Sequence, residues 1–255
     1  MDRCRNTAAW RPLTADRALV CDVAHFARQV PLFPVERTFD LAEVVAQRAA
    51  THPRIAWSVL FLKAYALVAA QHAGLRRAYV PWPWPHFIEW PASIGMVAVN
   101  RQESGIDRLC FAGFSSPETR RLAELNSHLR WYQTKPIEEA FARQLQFSNL
   151  PHALRRLVWW WNLNVVGAKR AARLGTFSIS SLAGQGVINR GHPTVLTSSL
   201  TYGPLDAEGR AVVTLLCDHR VLDGVEAAAV LNDLEAALQN EICRELGGLA
   251  MRWAA

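Results

Sequence analysis

The sequence predicts an α/β fold, and three stretches carry that prediction. Val212, Val213, Leu215 and Leu216 form an apolar run of strand type, and Val225–Leu234 follows it with helical character. Val35–Asp40 alternates as a strand does, and Leu41–Ala50 reads as a helix closed by Thr51-His52-Pro53. Trp57–Ala70 is apolar nearly all round, which suits a helix buried against a sheet. With 255 residues, 51% of them hydrophobic and 20% charged, the chain is long enough for one large domain with a real core. Residues 1–11 read as a flexible N-terminal arm and 12–255 as that single domain.

The elements follow in order. Val23–Val30 reads as a short helix stopped by Pro31. Strand Val35–Asp40, helix Leu41–Ala50 and the buried helix Trp57–Ala70 come next, the last stopping at Gly74. Tyr79–Pro91 holds Pro81, Pro83, Pro85 and Pro91 with Trp82, Trp84 and Trp90, which forbids a regular helix or a central strand. A hairpin or rim loop with exposed aromatics is expected, either walling an apolar channel or packing on a neighbouring subunit. Ala92–Val99 reads as a strand, and Ser116 N-caps a helix running to about Trp131. Leu150–Gly175 combines Trp159-Trp160-Trp161 with Arg155-Arg156 and Lys169-Arg170. Such a segment suits a membrane interface, a cover over a long acyl chain, or a helix buried between subunits. Thr176–Gly184 reads as a serine-bearing strand and Pro193–Gly203 as another. The helix begun at Val225 runs to about Cys243, and Gly247-Gly248 leads into a short tail.

Composition limits the function classes. Cys4, Cys21, Cys110, Cys217 and Cys243 are scattered with no C-x-x-C pair, which argues against a disulfide framework or a zinc site and fits a reducing cytosol. No apolar run follows the N-terminus, so no signal peptide is expected, and the location expected is cytoplasmic with membrane association open. The net charge of +6 is uneven: residues 141–205 contain no acidic residue but carry Arg143, Arg155, Arg156, Lys169, Arg170, Arg173 and Arg190. A phosphate-bearing cofactor, an acidic carrier protein or a lipid surface would suit this region, as would a solvated face without a partner. No recognised nucleic-acid fold accompanies the charge, so no nucleic-acid partner is expected.

The chemistry concentrates in Cys217-Asp218-His219-Arg220-Val221-Leu222-Asp223-Gly224. A histidine at a strand end, with Asp-Gly following at a fixed offset, is an imidazole on a rigid support with a tight turn behind it. This string resembles the active-site segment of the dihydrolipoamide acyltransferases, the core enzymes of 2-oxoacid dehydrogenase complexes, in the chloramphenicol acetyltransferase-like superfamily. Gly175-Thr176-Phe177-Ser178-Ile179-Ser180-Ser181-Leu182 resembles the serine strand of the same family. The likeness spans Pro12 to about Leu238 and lacks a lipoyl or subunit-binding domain.

The resemblance implies a two-layer sandwich, a mixed sheet covered by helices, forming a homotrimer with active sites between subunits. It implies an acyltransferase with His219 as general base and Ser180 steadying the oxyanion. Asp223 either tunes His219 or, as favoured, braces the turn through an arginine such as Arg220. Ser178, Trp82, Trp84 and Phe114 are expected to contact substrate. Phe114 closes Gly105–Phe114, which stands where the family has a channel-lining Gly-Leu-x-x-Pro-Val segment; here the proline is missing and Asp107-Arg108 intervenes. Cys217 is expected to be a buried apolar residue. Asp218 and His219 point to opposite strand faces and cannot share a metal, and no metal is expected. No tightly bound cofactor is expected; coenzyme A or an acyl carrier protein would enter as the thioester substrate. The rival reading is a catalytically silent trimeric scaffold that binds coenzyme A or a carrier protein.

Overall fold

In the computed structural model, residues 8–103 and 106–254 are described; residues 1–7 of the expected arm and Gly105 lie outside them. Residues 8–14 carry no regular structure and are largely exposed. Helix α1 (Ala15–Ala27) starts earlier than its apolar pattern suggests, because the Thr14 hydroxyl accepts from the Arg17 N–H at 3.3 Å and caps it. Strand β1 (Leu32–Asp40) leads to α2 (Ala42–Ala49) and α3 (Trp57–Gln71). The all-round apolar character of α3 is explained by its place: Val59 to Tyr65 is almost wholly buried in the main core.

The proline–tryptophan stretch is a hairpin of β2 (Arg77–Val80) and β3 (His86–Glu89), forming its own two-stranded sheet. Strand β4 (Ile94–Glu103) pairs antiparallel with β5 (Ile106–Ser115). Ser116 heads only a short 3-10 turn, and its side chain makes no capping bond. It takes a left-handed conformation, φ 46°, before that turn, and α4 (Leu122–Thr134) begins later. Helices α5 (Ile137–Ala140) and α6 (Ala142–Ser148) precede α7 (His152–Asn164) and α8 (Gly167–Leu174).

Strand β6 is short (Phe177–Ile179). Gly175 before it has φ 86°, and a Cβ there would lie 3.0 Å from the Ile94 carbonyl oxygen, so glycine is required. Strand β7 (Ser198–Tyr202) runs parallel to β6, so the segment between them is a crossover. Strand β8 (Arg210–Asp218) is antiparallel to β7 and β1. Helix α9 (Gly224–Ala237) continues through a π-turn into α10 (Cys243–Ala254). The expected break at Gly247-Gly248 does not occur, since Leu246 anchors this last helix in the core.

The main sheet has the order β1-β8-β7-β6-β4-β5, with β6 parallel to both neighbours and the other pairs antiparallel. One face carries Phe177, Ile179, Leu200, Val213, Leu215 and Cys217 into the core beneath α3, α4 and α9. The opposite face is rich in hydroxyls, among them Ser178, Ser199, Thr201 and Thr214. The result is the expected mixed sheet covered by helices. Among the described residues, no helix is long and apolar enough to cross a membrane.

Candidate active site

Strand β8 delivers the histidine. Cys217 is its last core-facing residue, and burial pushes that thiol up to about 12, so it is an inert apolar filler. Asp218, next along, lies buried on the other face. Its carboxylate accepts from the Arg220 backbone N–H at 3.0 Å and from the Arg220 guanidinium at 2.9 and 2.7 Å. Its carbonyl accepts from the N–H groups of Val221 and Leu222 at 2.9 and 3.0 Å. The His219 N–H donates to the Pro31 carbonyl at 3.0 Å, tying the turn to the start of β1.

These bonds hold the backbone of His219 while its side chain stays 57% exposed. The ring packs on Phe33 at a centroid distance of 4.6 Å. Asp223 N-caps α9 through its backbone, and its side chain is 83% exposed. Its carboxylate stands 3.5 Å from His219 Nδ1, longer than a well-formed hydrogen bond. The expectation that Asp223 braces the turn through Arg220 is therefore corrected: Asp218 does so, because it sits inside the turn and two residues from the arginine.

Ser180 lies just past the end of β6, half-buried, with its N–H donating to the Leu200 carbonyl at 3.0 Å. Within this chain no hydrogen bond joins it to His219 among the described residues. Ser178, expected beside the substrate, is instead enclosed in the hydroxyl face. Its Oγ lies 2.6 Å from Ser199 Oγ, which in turn lies 2.9 Å from His192 Nε2. Burial lowers the His192 pKa, and its Nδ1 is buried without a partner. Sequence reasoning missed this chain of groups. Only the parallel register of β6 and β7 sets Ser178 opposite Ser199.

Trp82 and Trp84 sit exposed at the hairpin tip, as their prolines require. Phe114 is a correction: it is fully buried on β5, with its ring 5.1 Å from His128 and 6.0 Å from Tyr132, and so faces the core instead of a channel. Strand alternation decides this, since Ala112 and Cys110 on β5 share the core face.

The acid-free region is not a free basic patch. Arg155 and Arg156 both pair with Asp22 of α1, the second at 2.6 Å. Arg190 pairs with Glu36 at 3.2 Å, Arg173 bonds Asn162, and Arg170 is buried. The surface of α7 is instead apolar, with Leu154, Leu157, Trp160 and Trp161 exposed.

The fold and the turn together define a class: an α/β sandwich that presents a strand-end histidine toward solvent beside a serine-bearing strand. Neither a protein-family model nor a curated protein matches the sequence, but solved structures do. A probable dihydrolipoamide acetyltransferase from Listeria monocytogenes superimposes with TM-score 0.67 at 14% identity, covering 91% of this chain and 94% of that one. The dihydrolipoamide acetyltransferase of Azotobacter vinelandii gives 0.67 at 17% identity, covering 93% of each. The truncated catalytic core of a 2-oxoacid dehydrogenase complex from Thermoplasma acidophilum gives 0.66 at 17%, covering 91% of this chain and 99% of that one. The chain has the fold of these acyltransferase cores.

Proposed function

We propose that the protein is an acyltransferase moving an acyl group from a thioester, coenzyme A or an acyl carrier protein, to a small or lipid-like acceptor. The observation that carries this reading is the exposed His219 ring on a turn anchored by buried Asp218, within the fold of acyltransferase cores. In the A. vinelandii enzyme a serine, a histidine and an asparagine four residues after it have been studied for their roles in the catalytic mechanism. Here Asp223 follows His219 at that same offset.

His219 Nε2 takes the proton from the acceptor, whose freed lone pair attacks the thioester carbonyl. Asp223 stands 3.5 Å from Nδ1, on the side of the ring away from the transferred proton. The tetrahedral oxyanion accepts a hydrogen bond from Ser180 Oγ–H, typically worth about 3 kcal/mol. Collapse breaks the carbon–sulfur bond, and the thiolate recovers the proton from His219. The reading places His219 of one subunit against Ser180 of the next in a homotrimer, which accounts for the lack of a bond between them within a chain. The exposed tryptophans of the hairpin and of α7 suit an apolar acyl group, a partner subunit or a lipid surface.

Purified protein given acyl-coenzyme A and candidate acceptors is expected to release free thiol, and His219→Ala to abolish that release. Activity surviving in the variant would sink the assignment. Binding of coenzyme A by wild-type protein without thiol release would favour the silent scaffold.

A further inference from the structure

The end of α1, the end of β2, helices α7 and α8 and the turn after β8 line a partly open cavity of about 280 Å³. Its apolar wall includes Phe26, Pro81, Leu163 and Val195, and no acidic residue lines it. Two arginines do, Arg220 and Arg170. The charge of Arg220 is matched by Asp218 at 2.7 Å, and its guanidinium lies over the Tyr79 ring at 4.6 Å.

Arg170 differs. It is 5% exposed, and no carboxylate comes within ion-pair distance of it among the described residues. Its Nη1 donates to the Tyr79 carbonyl at 3.3 Å and its Nη2 to the Val195 carbonyl. A guanidinium has five N–H donors, so two such bonds leave capacity toward the cavity. Burial pushes its pKa down to about 10, opposed by the more distant charge of Asp218, so it stays cationic at neutral pH. A buried cation without a counterion is costly, and it is rare unless something supplies the missing charge.

We propose that this cavity binds a small organic acid, its carboxylate paired with Arg170 and its apolar body set against Phe26, Leu163 and Val195. The planar guanidinium offers a carboxylate two parallel bonds. The lining is mixed, and its apolar part suits an acid with a short hydrocarbon body. The volume, near the lower end for ligand pockets, favours a short one. An acid seated here also touches Arg220, the residue after His219. The binding stands whether or not His219 transfers acyl groups.

The test is calorimetric titration of the whole chain with hexanoate, with hexanamide as its neutral counterpart and inorganic phosphate as an anion lacking the apolar body. Hexanoate is expected to bind saturably, and hexanamide at least about tenfold more weakly, as loss of a charge-assisted pair implies. Arg170→Met is expected to abolish hexanoate binding. Leu163→Trp fills the cavity and leaves the guanidinium in place, and should abolish binding as well. If Arg170→Met does not fold, the amide comparison and Leu163→Trp decide. The proposal is overturned if hexanoate does not bind, if hexanamide binds equally, if phosphate binds more tightly, or if either folded variant keeps hexanoate affinity.

Discussion

Replacing Asp218 with alanine should damage both the stability and the chemistry of this protein, and the structure sets the size of each effect. The carboxylate accepts from the backbone and the side chain of Arg220 and is nearly solvent-free. Breaking a buried ion pair by removing one partner costs about 3–5 kcal/mol. The Arg220 side chain is 30% exposed, so water recovers part of that, and about 2–3 kcal/mol is expected. For a chain of this size the midpoint of thermal unfolding should fall by about 5–10 °C. The turn would also lose its clamp, and a displacement of His219 on the order of 1 Å is enough to lower kcat about a hundredfold. Thermal unfolding and thiol release from an acyl-coenzyme A, measured side by side, read both quantities. Asp223→Ala is the control: its carboxylate is exposed, so the unfolding midpoint should stay within about 1 °C. Asp218→Ala with wild-type midpoint and rate, or Asp223→Ala as the less stable variant, would refute the reasoning.

Asp22→Ala should be harsher on stability. It strands Arg155, which is almost as buried as Asp22 itself, at a cost of about 3–5 kcal/mol, and lowers the unfolding midpoint by about 10 °C with little direct effect on His219. His192 and His128 have pKa values lowered by burial, so the folded chain takes up fewer protons than the unfolded chain below the ordinary value of 6.5. Stability is therefore fully present above pH 6.5 and falls as the pH drops below it, and His192→Gln should flatten that slope; an unchanged slope would remove His192 from the account. Flotation with anionic vesicles tests the exposed face of α7. If that face meets lipid, Leu157→Glu with Trp161→Glu should release the protein from vesicles, whereas a wild type that never floats excludes the membrane and leaves a partner subunit.

Much of the fold was legible because it is encoded locally. The apolar run ending at Asp218, the turn with Gly224 and the helix after it form one contiguous unit, and that unit is present as β8, the His219 turn and α9. The uniform apolar character of Trp57–Ala70 announced a buried helix, and the prolines from Pro81 to Pro91 pointed to a hairpin or rim loop, which is a hairpin with Trp82 and Trp84 outside but Trp90 buried. Less was legible where the decisive partner is far away in the chain. Ser180 was expected at the oxyanion and Ser178 beside the substrate, yet β6 ends at Ile179, and a serine on β7 takes up the hydroxyl of Ser178. Phe114 was expected to line a channel because its segment stands where the family has one, yet it shares the core face of β5 with Cys110 and Ala112.

By itself the sequence determined the locally encoded elements, such as the strand ending at Asp218, the helix after Gly224 and the buried helix Trp57–Ala70, where the candidate imidazole stands, and that Trp82 and Trp84 stay outside. Periodicity, turn chemistry and proline are properties of neighbouring residues, and they survive without knowledge of the rest. Only the tertiary structure decided which carboxylate anchors the histidine turn, and that Asp22, remote in sequence, pairs with two arginines of a stretch that looked uniformly basic. A charge count along the chain sums residues by position, whereas electrostatic energy depends on distance and burial, and those exist only once the helices have packed.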